Sequence, residues 1–326
     1  MLSLWTFIIG VCSSSPILVN NTAPRTLPDG TIVDSHNGGL VLYFDGLFHL
    51  YGMSFGGCIE QAEGCTNSSS QACGFEYNTT ISVYASPDLS QASWQLERAD
   101  ILPVPAGPQR GTVSRPSLVY SAATDMWLLW WNYDNASAGG QYSLAVAQSA
   151  AGPLGPFELV AAPVAMPHTF IGDFFVFIDP ASPNGTSAWL YYTTWDPDAL
   201  GQLFLARLEA SLTRLADPLE ALGPLFGGLG LLESPLLWRR EDGGGDGSDA
   251  YYFLTGHGCC FCAEGSGVYV FTAPAVTGPY TSRGNVGCNY SEPAAHVSVA
   301  SHGCLLAGVC YTSTLQAEVR EGEDVG

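Results

Sequence analysis

Residues 32–52 read IVDSHNGGLVLYFDGLFHLYG. An acid and a histidine, Asp34 and His36, precede a Gly-Gly pair, after which apolar residues fall at every second position (Leu40, Leu42, Phe44). Asp45-Gly46 separates this run from a second that ends in Leu50-Tyr51-Gly52. Period-two alternation marks a strand, and Asp-Gly between two such runs marks a tight hairpin because both turn residues tolerate φ > 0. The pattern predicts a β-hairpin with polar groups at its mouth.

The same order of events recurs down the chain. Arg115-Pro-Ser leads into SLVYSAATDMWLLWWNYD, then YSLAVAQS, and leaves through GPLGPFELV. Asp173 opens FFVFIDPASPNGTSAWLYYTTWD, followed by GQLFLARLEASLTRL, and Glu233-Ser-Pro opens LLWRREDGGGDGSDAYYFLTGHG, followed by GVYVFTAPAVTGPY. The openings at 115, 173 and 233 are 58 and 60 residues apart. The gap of 81 from Asp34 to Arg115 returns to that period once a Cys-rich insertion at about 58–80 is set aside. Repeats of this length with about four short strands each are propeller blades. A β-sandwich is the structural alternative, but its turns would not restart on a polar residue every 60 positions. Four blades are visible, residues 296–326 supply about half of a fifth, and a strand near Ile17–Val19 is placed to help close the ring. The expected fold is therefore all-β: a five-bladed β-propeller whose fifth blade is short or truncated. Trp130 and Trp131 are consecutive in a strand, which predicts one of them in the core. The only stretch suggesting a helical turn is Glu209–Leu222.

Composition narrows the class. Hydrophobic residues make up 47% of the 326 and charged residues 12%, which permits a large core and argues against disorder. Thirty acids against ten bases give a net charge of −20, a poor field for nucleic acid or an anionic membrane surface. The N-terminus, MLSLWTFIIGVCSSSPILV, resembles a secretory signal over residues 1–15 without a basic n-region, leaving 16–326 as one propeller domain. Six N-x-[ST] sequons, at Asn20, Asn67, Asn78, Asn135, Asn184 and Asn289, fit a secreted glycoprotein. Ten cysteines, with local groups at Cys58/Cys65/Cys73, Cys259/Cys260/Cys262 and Cys304/Cys310, read as disulfides in that setting, their pairing open. No second CxxC accompanies Cys259–Cys262 to make a metal site. A disulfide there would stiffen the wall beside His257.

Blade openings line the central channel of a propeller, so Asp34, Asp173 and Glu233 should converge at equivalent positions on one face. Carboxylates crowded together raise at least one pKa, which suits a general acid working against a base. Glycosidic cleavage with inversion needs such a pair about 6.5–9.5 Å apart. Each residue also has a plainer reading. Asp34 fits an Asx turn cap, His36 and His257 fit structural histidines, and Arg115 fits a bridge between blades. Trp195 and Phe261 fall at plausible rim positions, where an aromatic face can meet sugar C–H groups.

At these residues the chain resembles the five-bladed propeller glycosidases, the arabinanase/levansucrase/invertase-like superfamily of glycoside hydrolase families 43, 62, 32 and 68. The nearest resemblance is to family 43 and its exo-β-1,3-galactanase-like branch. It rests on VDSHNGGLVLYFDGLFHLYG, SRPSLVYSAATDMWLLWWNYD, GDFFVFIDPASPNGTSAWLYYTTWD and ESPLLW, in that order, and spans about residues 30–290. The resemblance implies Glu233 as general acid and Asp173 as the aspartate that orients it and raises its pKa. It implies Asp34 as general base, with Gln316 the alternative by the galactanase-like pattern. Around them, His36, Arg115, Trp195, His257 and Gln316 are the candidate substrate-binding residues. No cofactor is required, though a structural calcium or other ion in the channel is compatible with the family. The expected protein is a secreted, monomeric, exo-acting and inverting hydrolase of polysaccharide or oligosaccharide, with β-1,3-galactan, arabinan and xylan side chains as leading substrates. Two departures stand out: Ser114 replaces the acid usual before Arg-Pro, and Gly172 replaces the Arg usual before the third-blade Asp. They favour the rival reading of a catalytically impaired carbohydrate-binding propeller. A transglycosidase of the family 32/68 kind would need an early Asn-Asp-Pro-like element, which is not seen.

Overall fold

The computed structural model describes residues 24–55, 79–104, 110–135, 141–182, 187–216, 221–226, 232–240, 251–257 and 268–285. Outside them lie the signal-like residues 1–15, the expected strand at Ile17–Val19, all ten cysteines, nearly all of the 58–80 insertion, Phe261, Gln316, the half-blade 296–326 and every sequon asparagine except Asn135.

The described residues form four antiparallel sheets of four strands, each in simple sequence order. The first sheet holds β1 (His36–Phe44), β2 (Leu47–Ser54), β3 (Thr80–Ser86) and β4 (Gln95–Arg98). The second holds β5 (Thr112–Ser121), β6 (Met126–Asn135), β7 (Gln141–Ser149) and β8 (Glu158–Ala161). The third holds β9 (Ile171–Ile178), β10 (Ala188–Thr194), β11 (Gln202–Leu208) and β12 (Ala221–Leu222), and the fourth β13 (Leu232–Arg239), β14 (Tyr251–His257), β15 (Tyr269–Ala273) and β16 (Thr281–Asn285). The first strands pack side by side, β1 with β5, β5 with β9 and β9 with β13. Each sheet thus starts at a common axis and works outward, as the blades of an all-β propeller do. Four blades are seen among the described residues. The first hairpin is as its sequence suggests: Asp45 and Gly46 take φ of +50° and +85°, and Phe44 pairs with Leu47.

The second and third sheets are covered on both faces by their neighbours, which is what the apolar composition of their strands requires. Leu42, Tyr51, Met53 and Val83 of the first blade pack against Leu118, Leu129 and Trp131 of the second. Trp130, Leu128, Leu144 and Val146, on the second blade's other face, meet Phe174, Val176, Leu190 and Tyr192 of the third. Phe175, Phe177 and Tyr191 then meet Leu237, Phe253 and Phe271 of the fourth. Trp130 and Trp131 are therefore both core residues, not one of the two. They point into different inter-blade seams, and the Trp130 indole N–H donates to the Leu212 carbonyl at 2.9 Å. The outer flank of the first blade is covered by residues 24–33 and Trp94, held by the Thr26–Ile32 bridge and by the Thr26 amide donating to the Gln91 carbonyl.

No helix occurs among the described residues, so the helical turn expected near Glu209–Leu222 is corrected over 209–216, while residues 217–220 lie outside the described ones. Leu208 bridges back to Leu215, and Leu212 adopts φ +57°, reversing the chain tightly before it reaches β12. At the end of the blades away from the strand openings, Asp179 and Tyr251 tie the third blade to the fourth. The phenol donates to the carboxylate at 2.9 and 3.1 Å, and burial, then this carboxylate, pushes the Tyr251 hydroxyl up to about 12.

Candidate active site at the channel mouth

The N-terminal ends of β1, β5, β9 and β13 share one face of the propeller, the channel mouth. In all four blades the pairing of the first strand with the second slips at this end. The slips fall between His36 and Leu40, between Ser114 and Ser117, between Ile171 and Phe174, and between Glu233 and Leu236. Such bulges re-aim side chains where a strand ends. Three of them contain a non-glycine residue in the left-handed region: Asn37 (φ +41°), Arg115 (φ +55°) and Ser234 (φ +53°).

Asp34, Asp173 and Glu233 all come to this mouth, but not at equivalent positions. Asp34 stands two residues ahead of β1, Glu233 is the residue just before its bulge, and Asp173 lies inside its own. A one-residue difference in where each bulge falls moves the carboxylates relative to one another, and a repeat period alone does not resolve that.

Their environments differ as much as their addresses. The Asp173 side chain is only 8% exposed and is engaged on both oxygens. Oδ2 accepts the Ser234 amide at 2.7 Å and the Ser234 hydroxyl at 3.1 Å, while Oδ1 is ion-paired with Arg115 Nε. One carboxylate thus ties the second, third and fourth blades together. Glu233, directly before Ser234, is half-buried, and its carbonyl accepts the Thr255 hydroxyl at 2.6 Å. The Asp34 side chain is 27% exposed. Its Oδ1 accepts the Phe55 amide at 2.9 Å and lies 3.0 Å from His36 Nε2, and its carbonyl accepts the Ser54 hydroxyl at 2.6 Å. The amide that Asp34 takes is thus on the end of the neighbouring strand, where an Asx turn would use one that follows it directly. The His36 ring rests on Phe55 at 4.4 Å between centroids.

Arg115 reaches the mouth and pairs with Asp173. Trp195 does as well, its amide donating to the Phe170 carbonyl at 3.0 Å beside the start of β9. His257 closes β14 opposite Leu232, next to the Glu233–Gly256 pair. Gln316 and Phe261 lie outside the described residues.

Trp195 also accounts for Gly172. A β-carbon on Gly172 would come within 2.5 Å of the Trp195 indole nitrogen and would also meet the Thr193 hydroxyl, so no side chain fits there. Replacing Gly172 by Ala should lower stability by about 1–3 kcal/mol, the usual cost of overpacking, and should shift the tryptophan fluorescence of the folded protein. Denaturant unfolding monitored by that emission is the check, and an unchanged midpoint and spectrum would contradict this packing.

Three residues at the mouth escaped the sequence reading. Ser234 was visible only as part of a Glu-Ser-Pro string. Asn132, fully buried, donates from Nδ2 to the Ile171 and Gly172 carbonyls at 2.8 and 3.3 Å, fixing the start of β9 to the second blade. Asp134 lies one residue before the end of β6, an apolar strand that runs back to the mouth, and pairs with Thr112. Burial raises its carboxyl, and its Oδ1 is buried without a hydrogen-bond partner among the described residues. The available signal was its position two strands in, at the returning end of a hairpin. Beside these residues a cleft of about 230 Å³ opens between the second and third blades, lined by Ser143, Val164, Met166, His168, Thr169 and Ile171. Among the described residues no three His, Cys, Asp or Glu side chains gather as a metal site would require.

No protein-family model matches the chain, and neither does any curated protein. Solved structures do. An exo-β-1,3-galactanase from Phanerochaete chrysosporium, crystallised with β-1,3-galactotriose, superposes with a TM-score of 0.57 at 18% identity, covering 81% of this chain and 52% of that one. An exo-β-1,3-galactanase from Clostridium thermocellum gives 0.56 at 19% identity, over 81% and 50%. A family 43 β-1,3-galactosidase with bound galactodeoxynojirimycin gives 0.58 at 17% identity, over 81% and 80%. The chain spans about half the length of the two galactanases. At these identities the likeness is one of fold: this chain is built as the propeller that those family 43 structures contain.

Proposed function

We propose that this protein is a secreted, monomeric glycoside hydrolase that releases sugar from the ends of β-1,3-galactan-like chains with inversion, its fifth blade drawn from 296–326 and its cysteines disulfide-bonded. The observation that carries the reading is the Asp173 carboxylate, locked onto the residue next to Glu233 at the mouth of a family 43-like propeller. In this mechanism the Glu233 carboxyl donates its proton to the glycosidic oxygen as the C–O bond breaks. Asp34 accepts a proton from the water that attacks C1 from the opposite face. Glycoside and water become two sugars, and the proton count closes across the two carboxyls. Asp173 has both oxygens engaged and serves as a fixed orienting charge. Trp195 and His36 offer an apolar face and a polar edge to a pyranose ring at the rim.

The test is to incubate the full chain with β-1,3-galactan, arabinan and xylan and follow the first-formed anomer by ¹H NMR. Inversion at a β-galactoside releases α-galactose first. Release of the β-anomer would replace this mechanism with a retaining one. Binding without release would support the second reading, a carbohydrate-binding propeller without turnover, which the filling of the Gly172 position by Trp195 favours.

A further inference from the structure

Two residues outside the acid–base set have a shared address. Arg115 and Ser234 lie inside the mouth bulges of β5 and β13, each in the left-handed region and each followed by a proline, Pro116 and Pro235. Proline offers no N–H to the ladder, so the slip loses no backbone hydrogen bond at that residue. The bulge of β9 lies between these two and carries Asp173. Its carboxylate is held from both sides: Arg115 on Oδ1, and the amide and hydroxyl of Ser234 on Oδ2. The peptide bond that supplies the Ser234 amide is the one that follows Glu233. A carboxylate pinned at both oxygens therefore fixes the direction in which the Glu233 side chain leaves its strand.

We propose that Arg115 and Ser234 are positioning residues that aim the general acid Glu233 by clamping Asp173 between them, so that Arg115 acts on the acid and not as a sugar ligand. The inference rests on the hydrolase reading above, and its test separates the two. Misaimed acid slows the departure of a poor leaving group and leaves a good one nearly untouched, because a good leaving group departs without a proton. Kinetics are measured with the full chain on a disaccharide and on the 2,4-dinitrophenyl glycoside of the same sugar, using whichever of β-galactose, α-arabinofuranose and β-xylose the wild type cleaves fastest. Ser234→Gly removes the hydroxyl while glycine accepts the left-handed backbone freely. Arg115→Gln removes the charge and Arg115→Lys restores it.

The expected result is a kcat about tenfold lower on the disaccharide for Ser234→Gly and Arg115→Gln, the scale of one hydrogen bond to a charged group. KM and the dinitrophenyl rate should stay within about twofold, and Arg115→Lys should recover part of the loss. Equal losses on both substrates would overturn the inference and leave the hydrolase reading standing. A raised KM with unchanged kcat in Arg115→Gln would do the same, making Arg115 a sugar ligand. A wild type that cleaves none of the substrates removes both.

Discussion

Replacing Glu233 by Gln should lower kcat on an unactivated galactoside by roughly 10²–10⁴-fold, the range general acid catalysis supplies, with the propeller intact. The change keeps the size of the side chain and removes the acidic proton. Thr255 bonds the Glu233 main-chain carbonyl and Asp173 bonds Ser234, so neither anchor depends on the Glu233 carboxyl. Unfolding midpoint and far-ultraviolet circular dichroism should therefore match the wild type while product release falls by that factor. Full activity on β-1,3-galactan in this variant would take the general acid away from Glu233.

The largest stability effect is expected at Trp130→Ala. Trp130 is fully buried in the seam between the second and third blades, and its indole N–H holds the Leu212 carbonyl at the tight reversal after β11. Truncation leaves a cavity and an unpaired carbonyl together. Large aromatic-to-alanine changes in cores cost about 3–5 kcal/mol, against a total of about 5–15 kcal/mol for an ordinary domain. Urea unfolding should show the loss directly, and a cost below about 1 kcal/mol would mean this seam does not hold the two blades together.

What the sequence reveals and what it conceals divide along a physical line. The Asp45-Gly46 hairpin is legible because everything that determines it lies within a few residues. The blades are legible because a polar residue reopens each apolar unit after a fixed interval. The seam assignments of Trp130 and Trp131 are not legible. A strand buried on both faces has no polar face to mark its phase, so two consecutive tryptophans look like one inward and one outward residue. The clamp on Asp173 is hidden for another reason: its partners lie 58 and 61 residues away, and only the packing of the second, third and fourth blades side by side brings them together. The bulges conceal the most. Where both faces are apolar, a slip of one residue leaves the hydrophobic pattern unchanged, so the sequence gives Asp34, Asp173 and Glu233 equivalent places that their registers do not share.

Those slips also separate two demands that a strand ordinarily couples. In an unbroken ladder, turning a mouth residue to the other side would turn every residue below it, and Leu237 or Phe175 would leave its seam. With an irregular step between mouth and core, the upper residues keep their own phase. A one-residue insertion or deletion at such a step re-aims the chemistry at the rim without disturbing the packing beneath. The propeller is therefore a stack of fixed seams under an adjustable collar.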